Sequence, residues 1–191
     1  FNGRATYGVR WGNLSGGSVN PEAFLFRNNI VNGADYGVYI ENTVQPLLYI
    51  THNHINCYVE GIHLDGAKYG LIQGDLFYTS LNPPAPSTDS YIDINLISIE
   101  GMDIVDNIYR QPRFSIQRRH VNINPLVANG GISVKINDHG YYASTSVSPI
   151  YVGPLASNIE IILPEWIQSY DFVSYPSDLV EVDPAATNVV V

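Results

Sequence analysis

The stretches GVYIEN (residues 37–42) and GIHLDG (residues 61–66) share one pattern of glycine, apolar, polar, apolar and acidic residues. Looser versions of the pattern are GVRWG at residues 8–12 and YIDIN at residues 91–95. Apolar and polar residues that alternate with period two are typical of β-strands and argue against helical repeats. The spacing therefore predicts short strands, each stacked on its counterpart in the next turn of a coil.

A second set of apolar segments lies between the first, at LFRNNI, ITHNHI, LIQGDL and, more weakly, MDIVDNI. Neither set buries its apolar face alone, so residues 1–112 are predicted to form a parallel β-helix of about four turns. The expected inward ladders are Val9, Val38, Ile62 and Ile92 in one row and Trp11, Ile40, Leu64 and Ile94 in the next. Asn13, Asn42 and Gly66 follow the strands and are expected at sharp bends.

The repeat is no longer visible after about residue 112. Separate strand patterns divided by turn-forming stretches predict an antiparallel β-sandwich over residues 113–191. The boundary is expected near Gln111 and Pro112. Within the first part, LNPPAPSTDS at residues 81–90 contains three prolines and is expected to project as a loop. The whole chain is therefore predicted to be all-β.

Composition limits the partners of the protein. The formal net charge of -9 argues against nucleic acid, whose binding needs a basic face. No apolar run approaches the roughly 20 residues that span a bilayer, and the first residues do not read as an export signal, so membrane insertion is not predicted. The single cysteine, Cys57, predicts no internal disulfide and is interpreted as a small buried residue. No cofactor is predicted.

The outward positions of the predicted strands carry the candidate site. One outward column is expected to contain Arg10, Tyr39, His63 and Asp93, and the other Gly12, Glu41, Asp65 and Asn95. Two stacked carboxylates about 5 Å apart would raise the pKa of one of them, as glycosidic bond cleavage requires. Catalysis is therefore assigned to Glu41, Asp65 and Asp93, and substrate binding to Arg10, Tyr39, His63 and Asn95. Ligand contact without catalysis and a plain solvated surface are the alternatives.

Two further groups of residues are weighed for other roles. His52 and His54 are two residues apart on a predicted strand, but no third ligand is evident, and no metal site is predicted. Arg118, Arg119 and His120 form a basic patch where the coil gives way to the second part. In an acidic chain, this patch is interpreted as a subunit or domain contact.

The GVYIEN and GIHLDG turns, the NNI and NHI strands and a C-terminal sandwich together resemble the tailspike proteins of bacteriophages. The resemblance implies a right-handed parallel β-helix, a C-terminal trimerisation domain and a homotrimer. It also implies binding, and often cleavage, of a bacterial surface polysaccharide, and a place in the virion after assembly in the host cytoplasm. It names no catalytic residue, because the family has no universal catalytic motif.

Two other functions remain open at this point. Similar turns occur in pectate lyases and related enzymes, so a monomeric bacterial polysaccharide lyase or hydrolase is the first alternative. A purely structural fragment that only folds and trimerises a spike is the second. If the chain is an enzyme, a glycoside hydrolase or a polysaccharide lyase is expected.

Overall fold

A computed structural model shows an all-β chain, with no helix among its described residues. The structure describes residues 5–12, 23–41, 47–79, 90–110, 117–127, 131–138, 140–143, 147–163, 166–169 and 178–191. The strands are β1 (Ala5–Gly12), β2 (Phe24–Arg27), β3 (Ile30–Glu41), β4 (Leu48–Thr51), β5 (His54–Ala67), β6 (Gly70–Gln73), β7 (Leu76–Thr79), β8 (Ser90–Val105), β9 (Ile108–Arg110), β10 (Gln117–Ile123), β11 (Gly131–Asn137), β12 (Gly140–Ala143), β13 (Ile150–Val152), β14 (Ala156–Ile162), β15 (Trp166–Ser169), β16 (Val180–Val182) and β17 (Thr187–Val190).

The strands stack into three faces, in which each strand pairs with its counterparts in the neighbouring coils. Face one contains β1, the C-terminal halves of β3 and β5, the N-terminal half of β8, and then β10, β13 and β16. Face two contains β2, β4, β6, the C-terminal half of β8, β11, β14 and β17. Face three contains the N-terminal halves of β3 and β5, then β7, β9, β12 and β15. All these pairings are parallel, which is consistent with a parallel β-helix.

Face one has an inward ladder of like apolar residues that passes through every one of its strands. The successive Cα partners are Val9, Val38, Ile62, Ile94, Val121, Ile150 and Val180. The five inner members of this ladder are 0% exposed. Full burial of one such side chain stabilises a protein by about 1.5–3 kcal/mol relative to exposure. The predicted stacking of Val9, Val38 and Ile62 is confirmed.

The predicted register at the fourth turn was wrong by two residues. Ile62 pairs with Ile94 and Leu64 with Leu96, while Ile92 lies opposite Glu60. A slip of two residues keeps every side chain on the same side of the strand, so the alternating pattern alone does not separate the two registers.

The other two faces contribute their own apolar ladders to the same interior. Face two aligns Phe26, Ile50, Ile72, Ile104, Ile136 and Ile161. Face three aligns Val31, Ile55, Phe77 and Tyr109. The Phe77 and Tyr109 rings stack with centroids 5.3 Å apart, so like side chains also pair in this part of the core.

The glycine that begins each repeat is required by the close approach of the next coil. A Cβ atom on Gly37 would lie 2.4 Å from the carbonyl oxygen of Gly61, and one on Gly61 would lie 2.6 Å from that of Asp93. Such distances are far below van der Waals contact, so any side chain would push the coils apart. Gly66 has a φ of 104°, which confirms the predicted bend after the third strand pattern.

A ladder of buried polar side chains runs along the corner between faces two and three. Backbone N–H groups of one coil donate to side-chain oxygens of the next, in the order Asn29 to Asn53, Asn53 to Asp75, Asp75 to Asn107 and Asn107 to Asp138, at 3.0, 2.6, 2.9 and 3.0 Å. The residue before each of these four donors has a positive φ: Asn28, His52, Gly74 and Asp106. This corner ladder satisfies backbone groups that the bend removes from the strand ladder.

The antiparallel sandwich predicted for residues 113–191 is not shown. Strands β10 and β11 pair in parallel with β8, and the later described strands continue the three faces. The aligned residues Ile94, Val121, Ile150 and Val180 are 27, 29 and 30 residues apart, which is close to the earlier spacing. In β10 the position that glycine occupies before Val38 and Ile62 is taken by His120. The sequence pattern is therefore lost, although the strand pairing continues.

Several predictions fall on residues that the structure does not describe. The expected boundary at Gln111 and Pro112 is one of them, and the division into two domains stays a prediction. All but the last residue of the LNPPAPSTDS segment and the bend residues Asn13 and Asn42 also lie outside the described ranges.

Replacing Asp75 with Asn should stabilise the fold, most strongly above neutral pH. Burial raises the pKa of Asp75 to about 7, and its Oδ2 atom has no hydrogen-bond partner. The native state therefore binds more protons than the unfolded state between the ordinary value of 3.8 and about 7, so stability falls as pH rises through this window. An amide removes the unpaired buried charge, and we expect a gain of about 1–3 kcal/mol at pH 8 in urea unfolding.

Asp106→Asn provides the matched control, because Asp106 is exposed on the same corner one coil further. Its effect on the free energy of unfolding should be within about 0.5 kcal/mol at both pH 5 and pH 8. An equal gain in the free energy of unfolding for Asp75→Asn at pH 5 and pH 8 would contradict the raised pKa of Asp75.

Candidate functional site

The outer side of face one carries a continuous row of polar and aromatic residues. The register aligns Arg10, Tyr39, His63, Asn95, Asn122, Tyr151 and Glu181 in successive coils. Successive members are separated by the inter-strand distance of about 4.8 Å. The four predicted binding residues, Arg10, Tyr39, His63 and Asn95, therefore lie in one row.

A second row lies beside the first and was not predicted. It contains Tyr7, Tyr36, Glu60, Ile92 and Arg119, each three residues before a member of the first row. Residues three apart would face opposite sides of a regular strand. Here both rows point outward because two consecutive residues between them are buried, Gly37 and Val38 in one coil and Gly61 and Ile62 in the next. The sequence feature that could have revealed this row is the residue directly before each repeated glycine. We call the two rows together the face-one strip.

Aromatic rings cluster at the N-terminal end of the face-one strip. Tyr7, Tyr36 and Tyr39 lie with ring centroids 5.0 to 5.5 Å apart. The ring of His63 stacks on Tyr39 at 4.2 Å with an angle of 14° between planes. Burial, and next the charge of Glu41, raises the pKa of Tyr39 to about 12. Tyr39 is therefore a neutral hydroxyl at physiological pH and can donate a hydrogen bond.

Glu60 connects the aromatic cluster to a chain of amides. Its Oε2 lies 2.7 Å from Nδ1 of His63, and its Oε1 accepts a hydrogen bond from Nδ2 of Asn95 at 3.0 Å. Asn95 Oδ1 in turn accepts from Nδ2 of Asn122 at 2.8 Å. These bonds cross three successive coils and fix the polar side chains before any ligand binds.

Two ion pairs lie at the two ends of the face-one strip. Arg10 donates from Nε to Oε1 of Glu41 at 3.0 Å, and its guanidinium lies 4.9 Å from the Tyr7 ring centroid. Arg119 donates from Nη2 to Oε2 of Glu181 at 3.0 Å and lies 4.6 Å from the Tyr151 ring centroid. Glu41 thus holds an arginine, while Asp65 pairs in register with Ser98. A catalytic role for either carboxylate stays a prediction.

Asp93 does not lie on the outer surface, and the prediction that placed it there was wrong. Asp93 is 0% exposed and points into the coil, in the column that begins with the repeated glycines. Its carboxylate accepts hydrogen bonds from Nε and Nη2 of Arg118 at 2.7 and 2.6 Å, and Oδ2 lies 2.8 Å from Nδ1 of His120. Asp93 lies in the column of Gly61, where two consecutive residues of the strand are buried, and the observed register brings Asn95 beside His63.

Two residues of the predicted basic patch belong to this buried cluster. Arg118 is 1% exposed and also donates to the carbonyl oxygens of Phe77, at 3.1 Å, and Arg110. His120 is 0% exposed and stacks on Tyr109 at 4.5 Å. Only Arg119 of the three faces outward. A buried charge needs a partner, so the cluster is an internal ion pair and not a basic surface.

No other chemical site is evident in the part of the chain that the structure describes. No group of His, Cys, Asp and Glu there could hold a metal ion. His52 is exposed at a corner with a φ of 57°, whereas the Nε2 atom of His54 is buried, so the two rings do not form a ligand pair. Burial raises the pKa of the Cys57 thiol to about 12, which keeps it protonated and suits a core residue. No helix in the described ranges could cross a membrane.

A scan against protein-family models finds no matching family. Searches of curated proteins and of solved structures likewise find no match.

Breaking the buried ion pair should destabilise the protein strongly. Arg118→Met leaves the Asp93 carboxylate buried without its main partner, and we expect a loss of about 3–5 kcal/mol in urea unfolding. The Arg118→Met, Asp93→Leu double variant should recover much of this loss, because no uncompensated charge remains. A single variant as stable as the wild type would show that the pair is not buried as described.

Proposed function

We propose that the face-one strip binds a bacterial surface polysaccharide and that the chain is part of a phage tailspike. One observation carries the proposal: a cluster of four rings, Tyr7, Tyr36, Tyr39 and His63, lies directly beside a pre-ordered chain of Glu60, Asn95 and Asn122. Aromatic faces offer apolar surface to the C–H faces of sugar rings, and amide and carboxylate groups suit sugar hydroxyls.

The regular spacing of side chains along the strip also suits a polymeric ligand. Its side chains recur at each coil, about 4.8 Å apart, so one extended chain of sugars can contact several coils at once. A ligand that meets many weak contacts in series gains affinity without a deep pocket, provided the contacts are ordered beforehand. The hydrogen bonds among Glu60, His63 and Asn95 provide such order.

The proposal includes a right-handed winding, a homotrimer and a place in the virion after assembly in the host cytoplasm. A strand, crossover and parallel strand connection is right-handed in nearly all proteins, which supports the winding. The exposed apolar residues Val182, Val190 and Val191 in the last described coil support contact with another chain.

Cleavage of the bound polysaccharide is a second candidate function, favoured by the contact between Glu60 and His63. A carboxylate at Nδ1 orients an imidazole so that its other nitrogen can accept a proton, which is how a general base is prepared. Release of reducing or unsaturated ends by the wild type, lost in Glu60→Gln even at saturating polysaccharide, would establish this activity. Asp93, which is 0% exposed and holds Arg118, is not part of this second candidate function.

Tyr39→Ala should weaken polysaccharide binding by about tenfold, because it removes the ring that stacks on His63 and contacts both other tyrosines. The measurement is calorimetric titration with polysaccharides purified from bacterial surfaces. Tyr49→Ala is the matched control, since Tyr49 is 39% exposed on face two, away from the strip, and its replacement should leave affinity unchanged.

Equal losses in the two variants would remove the strip as the binding surface. If the wild type bound none of the polysaccharides, the proposal would fail.

A further inference from the structure

We infer that the face-one strip selects uncharged polysaccharides, and that Glu41 and Glu181 are the residues that exclude anionic ones. This inference rests on the proposed function and specifies the class of ligand. It follows from how the cations of the strip are paired. A carboxylate that already holds an arginine occupies part of its donor fork and repels a second anion, so it weakens the binding of a sugar carboxylate there.

Arg10 is held by Glu41 at the N-terminal end of the strip. The guanidinium donates from both Nε and Nη2 to Oε1 of Glu41, and it also lies over the Tyr7 ring. A ligand carboxylate that approached Arg10 would meet the charge of Glu41 within the same contact distance. Repulsion between the two carboxylates would offset the attraction to the arginine.

Arg119 is held by Glu181 toward the C-terminal end in the same way. Its Nη2 donates to Oε2 of Glu181, its guanidinium lies over the Tyr151 ring, and its Nη1 atom is buried without a hydrogen-bond partner. The nitrogen that Arg119 could offer to a ligand, Nη2, is therefore already held, and the carboxylate beside it repels an anionic acceptor. Neutralising Glu181 would leave this arginine available.

The centre of the strip adds further negative charge. Glu60 lies between the two ion pairs, and Asp65 is two residues beyond His63 on the outward side of the same strand. Among the described residues of the strip, no guanidinium or ammonium group lies outside the two ion pairs. The net charge of -9 reinforces the local field. Sugar hydroxyls, which carry no charge, are the groups that this surface can accept.

The first experiment titrates the wild type with a panel of purified bacterial surface polysaccharides, both uncharged and acidic. Binding confined to uncharged members is expected. Binding confined to acidic members would overturn the inference but leave the proposed function intact. Binding to no member would overturn the proposed function and the inference with it.

The second experiment uses the best uncharged polysaccharide and the same polymer with its primary hydroxyl groups oxidised to carboxylates. The wild type should bind the oxidised polymer at least tenfold more weakly than the unmodified one. The Glu41→Gln, Glu181→Gln double variant should recover most of this loss, and its affinity for the oxidised polymer should fall as salt is added.

Glu160→Gln is the matched control, because Glu160 pairs with Lys135 at 3.1 Å on face two. This variant should discriminate against the oxidised polymer as strongly as the wild type. If it relaxed discrimination as much as the double variant, net charge alone would explain the selectivity. If the double variant still rejected the oxidised polymer, Glu41 and Glu181 would have no selective role.

Discussion

The fold depends on one constraint, which is that no coil of this chain can bury its apolar side chains without the next coil. Each strand of face one has only a few inward-facing residues. Ile62, for example, is fully buried because Val38 and Ile94 of the neighbouring coils cover it from both sides. Stability is then a sum of contacts between neighbouring coils. The polar corner ladder and the glycine column are consequences, since both permit the coils to approach at strand spacing.

The same constraint separates structural from functional residues. Inward positions are set by stacking, which leaves the outward positions of face one free to carry other chemistry. There the side chains are ordered by one another, as Glu60 is by His63 and Asn95. The proposed glycan strip and its ion pairs use only these outward positions. Apart from the corner ladder, the interior holds the buried cluster of Asp93, Arg118 and His120. Asp93 and His120 occupy the column that glycine fills in the earlier coils.

The sequence predicts the all-β class, the parallel stacking and most of the outer row. The reason is that apolar and polar residues alternate in the repeats, as at Val38, Tyr39 and Ile40. The register at the fourth coil could not, because a shift by two residues leaves that pattern unchanged. Glu60 was missed because two consecutive buried residues, Gly61 and Ile62, break the alternation. The later coils were read as a sandwich because their aligned positions keep the apolar residues but lose the glycine.

The central claim is that one parallel register continues into the second half of the chain. Proton NMR measurement of through-space contacts between backbone atoms of residues 117–190 tests it most directly. The structure predicts that Val121 contacts both Ile94 and Ile150, in the pattern of parallel neighbours. Strong contacts between α-protons of reversed strands would contradict it, because antiparallel pairs bring Cα atoms to about 4.5 Å.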